Sequence, residues 1–103
     1  MFSRVTTTTG QAKKADVVRT IQQRLIPSIK DLKGFKGAYW LRDEKTGKGL
    51  AVSFWDSEDA LNASAGPVGQ LRTQSTNELG IEVESVESFE VIETAGVPAG
   101  MSA

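Results

Sequence analysis

The sequence contains no cysteine and no histidine. The first absence excludes disulfides, a thiolate nucleophile and cysteine metal sites. The second excludes a Ser-His-Asp triad, an imidazole base and a histidine ligand for zinc or haem. Long apolar runs are missing too. The most apolar stretch, GLAVSFW at residues 49–55, is far too short to span a bilayer. The N-terminal MFSRV enters a threonine tract with no apolar signal core. These absences set the expectation of a cytoplasmic protein with no membrane association and no cofactor.

What is present fits one small domain. The chain has 103 residues, of which 39% are hydrophobic and 24% charged, and the net charge is −1. Charge is unevenly placed. Residues 1–48 carry 11 Lys/Arg and 4 Asp/Glu, whereas residues 49–103 carry a single basic residue, Arg72, and 9 acidic ones. In one small domain these halves interleave and neutralise each other. The basic residues lack the aromatic interleaving of a stacking platform, so no nucleic acid is expected.

Residues 2–9 (FSRVTTTT) are β-branched and predict a strand. Gly10 ends it, with Thr9 a candidate cap for the next element. Val18, Ile21, Leu25, Ile29 and Leu32 lay one apolar stripe along a helix over 11–32. Pro27 cannot donate to the carbonyl of Gln23, so a kink or restarted helix is expected there. Gly34 is the expected stop. Residues 35–42 and 49–55 read as a β-hairpin around the polar loop Asp43–Lys48. Asp56 or Ser57 caps a second helix, which Gly66-Pro67 interrupts before a piece over 67–79. Residues 81–92 read as a last strand with an irregularity near Ser85 or Val86. The order β-α-β-β-α-β predicts an α+β, ferredoxin-like fold, with a four-stranded antiparallel sheet and both helices on one face. The domain is expected over 1–94, with a flexible tail at 95–103.

A hairpin centred between Lys45 and Thr46 pairs Leu41 with Leu50, Tyr39 with Val52 and Gly37 with Phe54. One face then carries Phe35, Tyr39, Leu41, Leu50, Val52 and Phe54. The other carries Lys36, Ala38, Trp40, Arg42, Ala51, Ser53 and Trp55. Neither face suits water, yet helices cover only one. A second copy of the chain is the natural cover, which predicts a homodimer. On the mixed face, Ala38, Ala51 and Ser53 form a floor, Trp40 and Trp55 form walls, and Lys36 and Arg42 supply a cationic rim. Such a cleft suits a planar aromatic or an enolate-like anion, and so a small aromatic ligand. Trp55 reads either as a pocket wall or as a plug between the sheet and the second helix. Arg42 reads either as an anion stabiliser or as a strand-end charge paired with Asp43 or Glu44. Glu82, Glu84, Glu87, Glu90 and Glu93 read as a solvated edge, not a metal site.

The run Val52-Ser53-Phe54-Trp55-Asp56-Ser57-Glu58-Asp59-Ala60-Leu61, after Gly34-Phe35 and a hairpin, resembles the antibiotic biosynthesis monooxygenase (ABM) domain family. The resemblance covers residues 2–93. It implies a dimeric α+β barrel. Some relatives are cofactor-free monooxygenases that oxidise anthrone-like polyketides, using the substrate carbanion to reduce oxygen. There the residue matching Trp55 lines the pocket, with Asn, Tyr and Arg nearby. The companion Asn falls at Ala51 here, leaving Tyr39, Arg42, Asn62 and Arg72 as polar candidates. Other relatives degrade haem with the same Trp, an Asn on the first strand and a His after the second helix. This chain has Ser3 and Arg4 near that Asn place and no His. The candidate ligand-binding set is therefore Trp40, Trp55, Ala38, Ala51, Ser53 and Asn62, with Trp55 and Arg42 as catalytic candidates. The resulting expectation is a cofactor-independent monooxygenase of small aromatic or polyketide-like substrates. The alternatives are a non-catalytic ligand-binding dimer and a structural dimer whose cleft is filled by its own side chains.

Overall fold

The computed structural model describes residues 1–96. The tail expected at 95–103 therefore falls, from residue 97 onward, outside the described residues. The elements run β1 (Phe2–Thr9), α1 (Lys14–Thr20), a π-helical stretch (Ile21–Leu25), α2 (Ile26–Ile29), β2 (Phe35–Arg42), β3 (Lys48–Trp55), α3 (Glu58–Ala63), α4 (Ala65–Leu79) and β4 (Glu82–Glu90). The four strands form one antiparallel sheet in the order β2-β3-β1-β4. This is the expected βαββαβ arrangement. Among the described residues no helix is long and apolar enough to cross a membrane.

The first helical region starts at Lys14, and its N-cap is Lys13 with no side-chain cap bond. Thr9, the expected cap, stays in β1 and pairs with Lys48 and Glu82. The disturbance expected around Pro27 lies before it, as the π-helical turn Ile21–Leu25. Proline has no N–H for the Gln23 carbonyl, and a widened turn accommodates that missing bond. Pro27 then sits in the first turn of α2, where its lost donor costs little.

Ser57 caps α3, its Oγ accepting from the Ala60 N–H at 3.1 Å. Gly80 closes α4 in the left-handed region, at φ 67°. The hairpin loop closes through Asp43 N–H to the Lys48 carbonyl at 2.8 Å and Gly47 N–H to the Asp43 carbonyl at 2.9 Å.

The hairpin register is the expected one: Leu41 faces Leu50, Tyr39 faces Val52 and Gly37 faces Phe54. Phe35 departs from its expected face. The register shifts between Phe35 and Gly37, so Phe35 pairs with Trp55 and turns toward the helices. Gly37, at φ 149°, absorbs the bulge. A second shift divides β4. Thr7 faces Ser85 but Thr8 faces Val83, leaving Glu84 as the extra residue. Val83 and Val86 thereby share the helix side, while Phe89 lies beside Ser3 on the opposite side.

The two sheet faces now have distinct roles. The mixed face meets the helices. Here Trp55 is fully buried and packs with Ala60 and Leu61, supported by Phe2, Leu32, Phe35 and Val68. The apolar face, with Tyr39, Leu41, Leu50, Val52, Phe54 and Phe89, has no helix over it among the described residues. Leu41 and Phe89 remain about half exposed, at 52% and 50%.

Candidate functional site

The apolar stripe of the first helical region does not close onto the sheet. Val17, Val18, Ile21, Leu25 and Ile29 instead line a cavity of about 360 Å³. Its far wall comes from α4, through Val68, Leu71, Arg72, Ser75 and Leu79. Its floor is the mixed sheet face: Ala38, Trp40 and Arg42 of β2, Ala51 and Ser53 of β3, and Arg4, Thr6 and Thr8 of β1. Small floor residues create the space. A large side chain at Ala38 or Ala51 would fill it. Open volume thus remains between the helices and the sheet floor. Arg24 of the π-helical stretch bridges to Glu78 of α4 at 2.5 Å and ties the two walls together.

Five sequence candidates meet at this cavity: Trp40, Ala38, Ala51, Ser53 and Arg42. Two do not. Asn62 lies exposed on α3 and is outside the lining. Trp55 is behind the cavity rather than on its wall. It plugs the space between sheet and α3, edge-on to Phe35 with ring centroids 5.4 Å apart. It nonetheless orients two lining residues. Its indole N–H donates to Ser53 Oγ at 2.9 Å, and the Arg4 guanidinium lies 5.8 Å from its ring centroid. Tyr39 is on the open face, in edge contact with Phe54.

Arg42 is largely occupied. Its Nη2 donates to the Ala12 carbonyl, and its Nε lies 3.5 Å from Glu44 Oε1. This pins the end of β2 to the chain entering α1 and neutralises much of the charge.

Two other arginines define the electrostatics. Arg4 is only 5% exposed. Its Nη2 donates to the Leu61 carbonyl at 2.8 Å and to Ser64 Oγ at 3.0 Å. Its Nη1 is buried with no hydrogen-bond partner among the described residues. Arg72 lines the same cavity from α4. Burial pushes both guanidinium pKa values down, and the Arg72 charge adds to the effect on Arg4. Glu44 is the lone carboxylate in the lining, and it pairs with Arg42. The cavity is therefore apolar with a positive potential.

Arg4 is absent from the sequence-derived candidate set. Its signal was present: it is the one charged residue in a β-branched strand, and its parity matches the covered face. Arg72 is among the polar candidates the family resemblance leaves, and it is the sole basic residue after Lys48.

A ferredoxin-like α+β domain with a ligand-sized cavity between helices and sheet is the class that fold and site define. The sequence profile of the antibiotic biosynthesis monooxygenase family matches residues 1–67. The chain belongs to that family. Among curated proteins none matches the chain by sequence. Solved structures agree on the fold. SnoaB, a cofactor-independent oxygenase from Streptomyces nogalater, is 17% identical with a TM-score of 0.73, covering 93% of this chain and 97% of its own. A monooxygenase from the ActVA-Orf6 gene of Streptomyces coelicolor, in complex with nanaomycin D, is 17% identical with a TM-score of 0.66 over 95% and 92%. The heme-degrader MhuD from Mycobacterium tuberculosis, with two hemes bound, is 20% identical with a TM-score of 0.63 over 93% and 100%.

Proposed function

We propose that the chain is a homodimeric, cofactor-independent monooxygenase acting on a small planar aromatic or polyketide-like substrate. The observation that carries this reading is the apolar cavity lined by the buried Arg4 and the partly buried Arg72, neither of them paired with a carboxylate among the described residues. A positive potential in a low-dielectric space favours the ionised form of a bound enol or phenol. An anthrone-type substrate that has lost its C–H proton to water is electron-rich enough to reduce dioxygen. One oxygen atom then becomes the new quinone carbonyl and the other leaves as water. The cavity walls exclude bulk water from the intermediate.

Haem does not fit the donor set. The chain has no histidine, Tyr39 is on the opposite sheet face, and Glu44 is paired with Arg42. Among the described residues no cluster of three His, Cys, Asp or Glu could hold a metal ion.

A second reading is favoured by Ala51. It stands in the cavity floor where the resemblance to oxygenases places an Asn. A non-catalytic dimer that binds an aromatic ligand would need the cavity and not that amide.

The test is anaerobic mixing with anthrone, followed by admission of labelled dioxygen. Oxygen uptake and quinone absorbance above the protein-free rate, with one labelled atom in the quinone, support the oxygenase. Anthrone binding without oxygen uptake selects the non-catalytic reading.

A further inference from the structure

We propose that Arg4 and Arg72 form a carboxylate-binding subsite, so that the ligand of this cavity is a planar aromatic acid rather than a neutral aromatic. The inference rests on the reading of the cavity as a small-molecule site.

Arg4 is held before any ligand arrives. Its Nη2 is committed to Leu61 and Ser64 of the α3 region, and Trp55 lies beside its guanidinium plane. A donor fixed in this way loses little freedom when it binds an anion. Its Nη1 is buried without a partner among the described residues. A buried donor on a charged group is costly to leave unpaired.

Arg72 brings a second cation to the same cavity. Like charges sharing an apolar space repel, and both are already penalised by burial. Arg42 Nη1 is also buried without a partner among the described residues, but Arg42 competes less for the anion, because its Nε already faces the Glu44 carboxylate and its Nη2 donates to the Ala12 carbonyl. One carboxylate reaching Arg4 Nη1 and Arg72 would relieve both penalties. Two cations also leave room for a second negative charge, the enolate of the proposed reaction. The rest of the ligand must be apolar, since Val17, Ile21, Leu25, Val68 and Leu71 surround it. The small floor residues and the Trp40 wall suit a flat ring.

The experiment compares 2-naphthoate with 2-naphthamide, which share a shape and differ in charge. Binding is followed by calorimetry on the full chain, its fold verified by circular dichroism. Wild type should bind naphthoate at least about tenfold more tightly than naphthamide. In folded Arg72→Gln that preference should fall below about threefold. Arg4→Gln should behave alike where it folds, and Arg72→Gln decides alone where it does not. Equal affinity for both probes in wild type overturns the subsite and leaves the cavity reading standing. Binding of neither probe overturns both. An unchanged preference in folded Arg72→Gln overturns the assignment of the anion to these arginines.

Discussion

Trp55 shows how a side chain can serve a site without touching it. Its ring fills the space between β3 and α3, packs edge-to-face with Phe35 and lies under the Arg4 guanidinium, and its N–H donates to Ser53 Oγ. Removing it opens a cavity in a core that otherwise has few fully buried residues. Trp55→Ala should therefore lower stability by about 3–5 kcal/mol. A urea titration measures this, and a loss under about 1 kcal/mol would contradict the plug role. The family resemblance could mark Trp55 but not its side of the wall. Its parity on β3 does not distinguish lining the cavity from packing on α3, because both lie over the same face. Arg4 was hidden for a different reason. A single arginine in a threonine-rich strand has the same appearance whether it is solvated or buried. Only the contacts with Leu61 and Ser64, nearly sixty residues away, reveal it.

At the scale of elements, the turns were the most legible parts. The Asp43–Lys48 loop sets the hairpin register because its length and glycine permit few closures. Bulges were less legible. One extra residue at Lys36 reverses the face of Phe35, and one at Glu84 separates the faces of Val83 and Phe89. Alternation alone cannot locate such a residue within a strand.

Gly34 joins two elements in one position. It has φ 81°, and its carbonyl accepts from Asp56 N–H at 2.8 Å. A Cβ there would lie 2.5 Å from Ala60 Cβ and 2.6 Å from Asp56 Oδ1. The positive φ alone costs a side chain about 1–3 kcal/mol. Gly34→Ala should destabilise by at least that much, because β2 and α3 must also move apart. Thermal melting compares it with Gly69→Ala, whose new Cβ meets nothing nearer than Arg72 Nη1 at 3.9 Å. Equal melting temperatures for the two variants would contradict the close packing at Gly34.

At the scale of the whole molecule, the sheet presents its more apolar face away from the helices. Tyr39, Leu41 and Phe89 are 38%, 52% and 50% exposed there, flanked by the half-buried Leu50, Val52 and Phe54. A contiguous patch of this kind has a physical demand for cover. The same surface on a second copy meets that demand with closed, twofold symmetry, which is the basis of the proposed homodimer. Charges placed at two exposed positions would oppose each other across such a symmetric contact. Leu41→Glu combined with Phe89→Glu should therefore halve the mass measured by sedimentation at micromolar concentration. A wild-type monomer in the same experiment would remove the proposal. The cavity gives an independent control, since Ala38, Ala51 and Arg4 lie on the opposite side of the sheet. A folded monomeric variant should keep its preference for naphthoate over naphthamide. If that preference disappears while the circular dichroism stays native, the cavity depends on the second copy, and site and assembly form one unit.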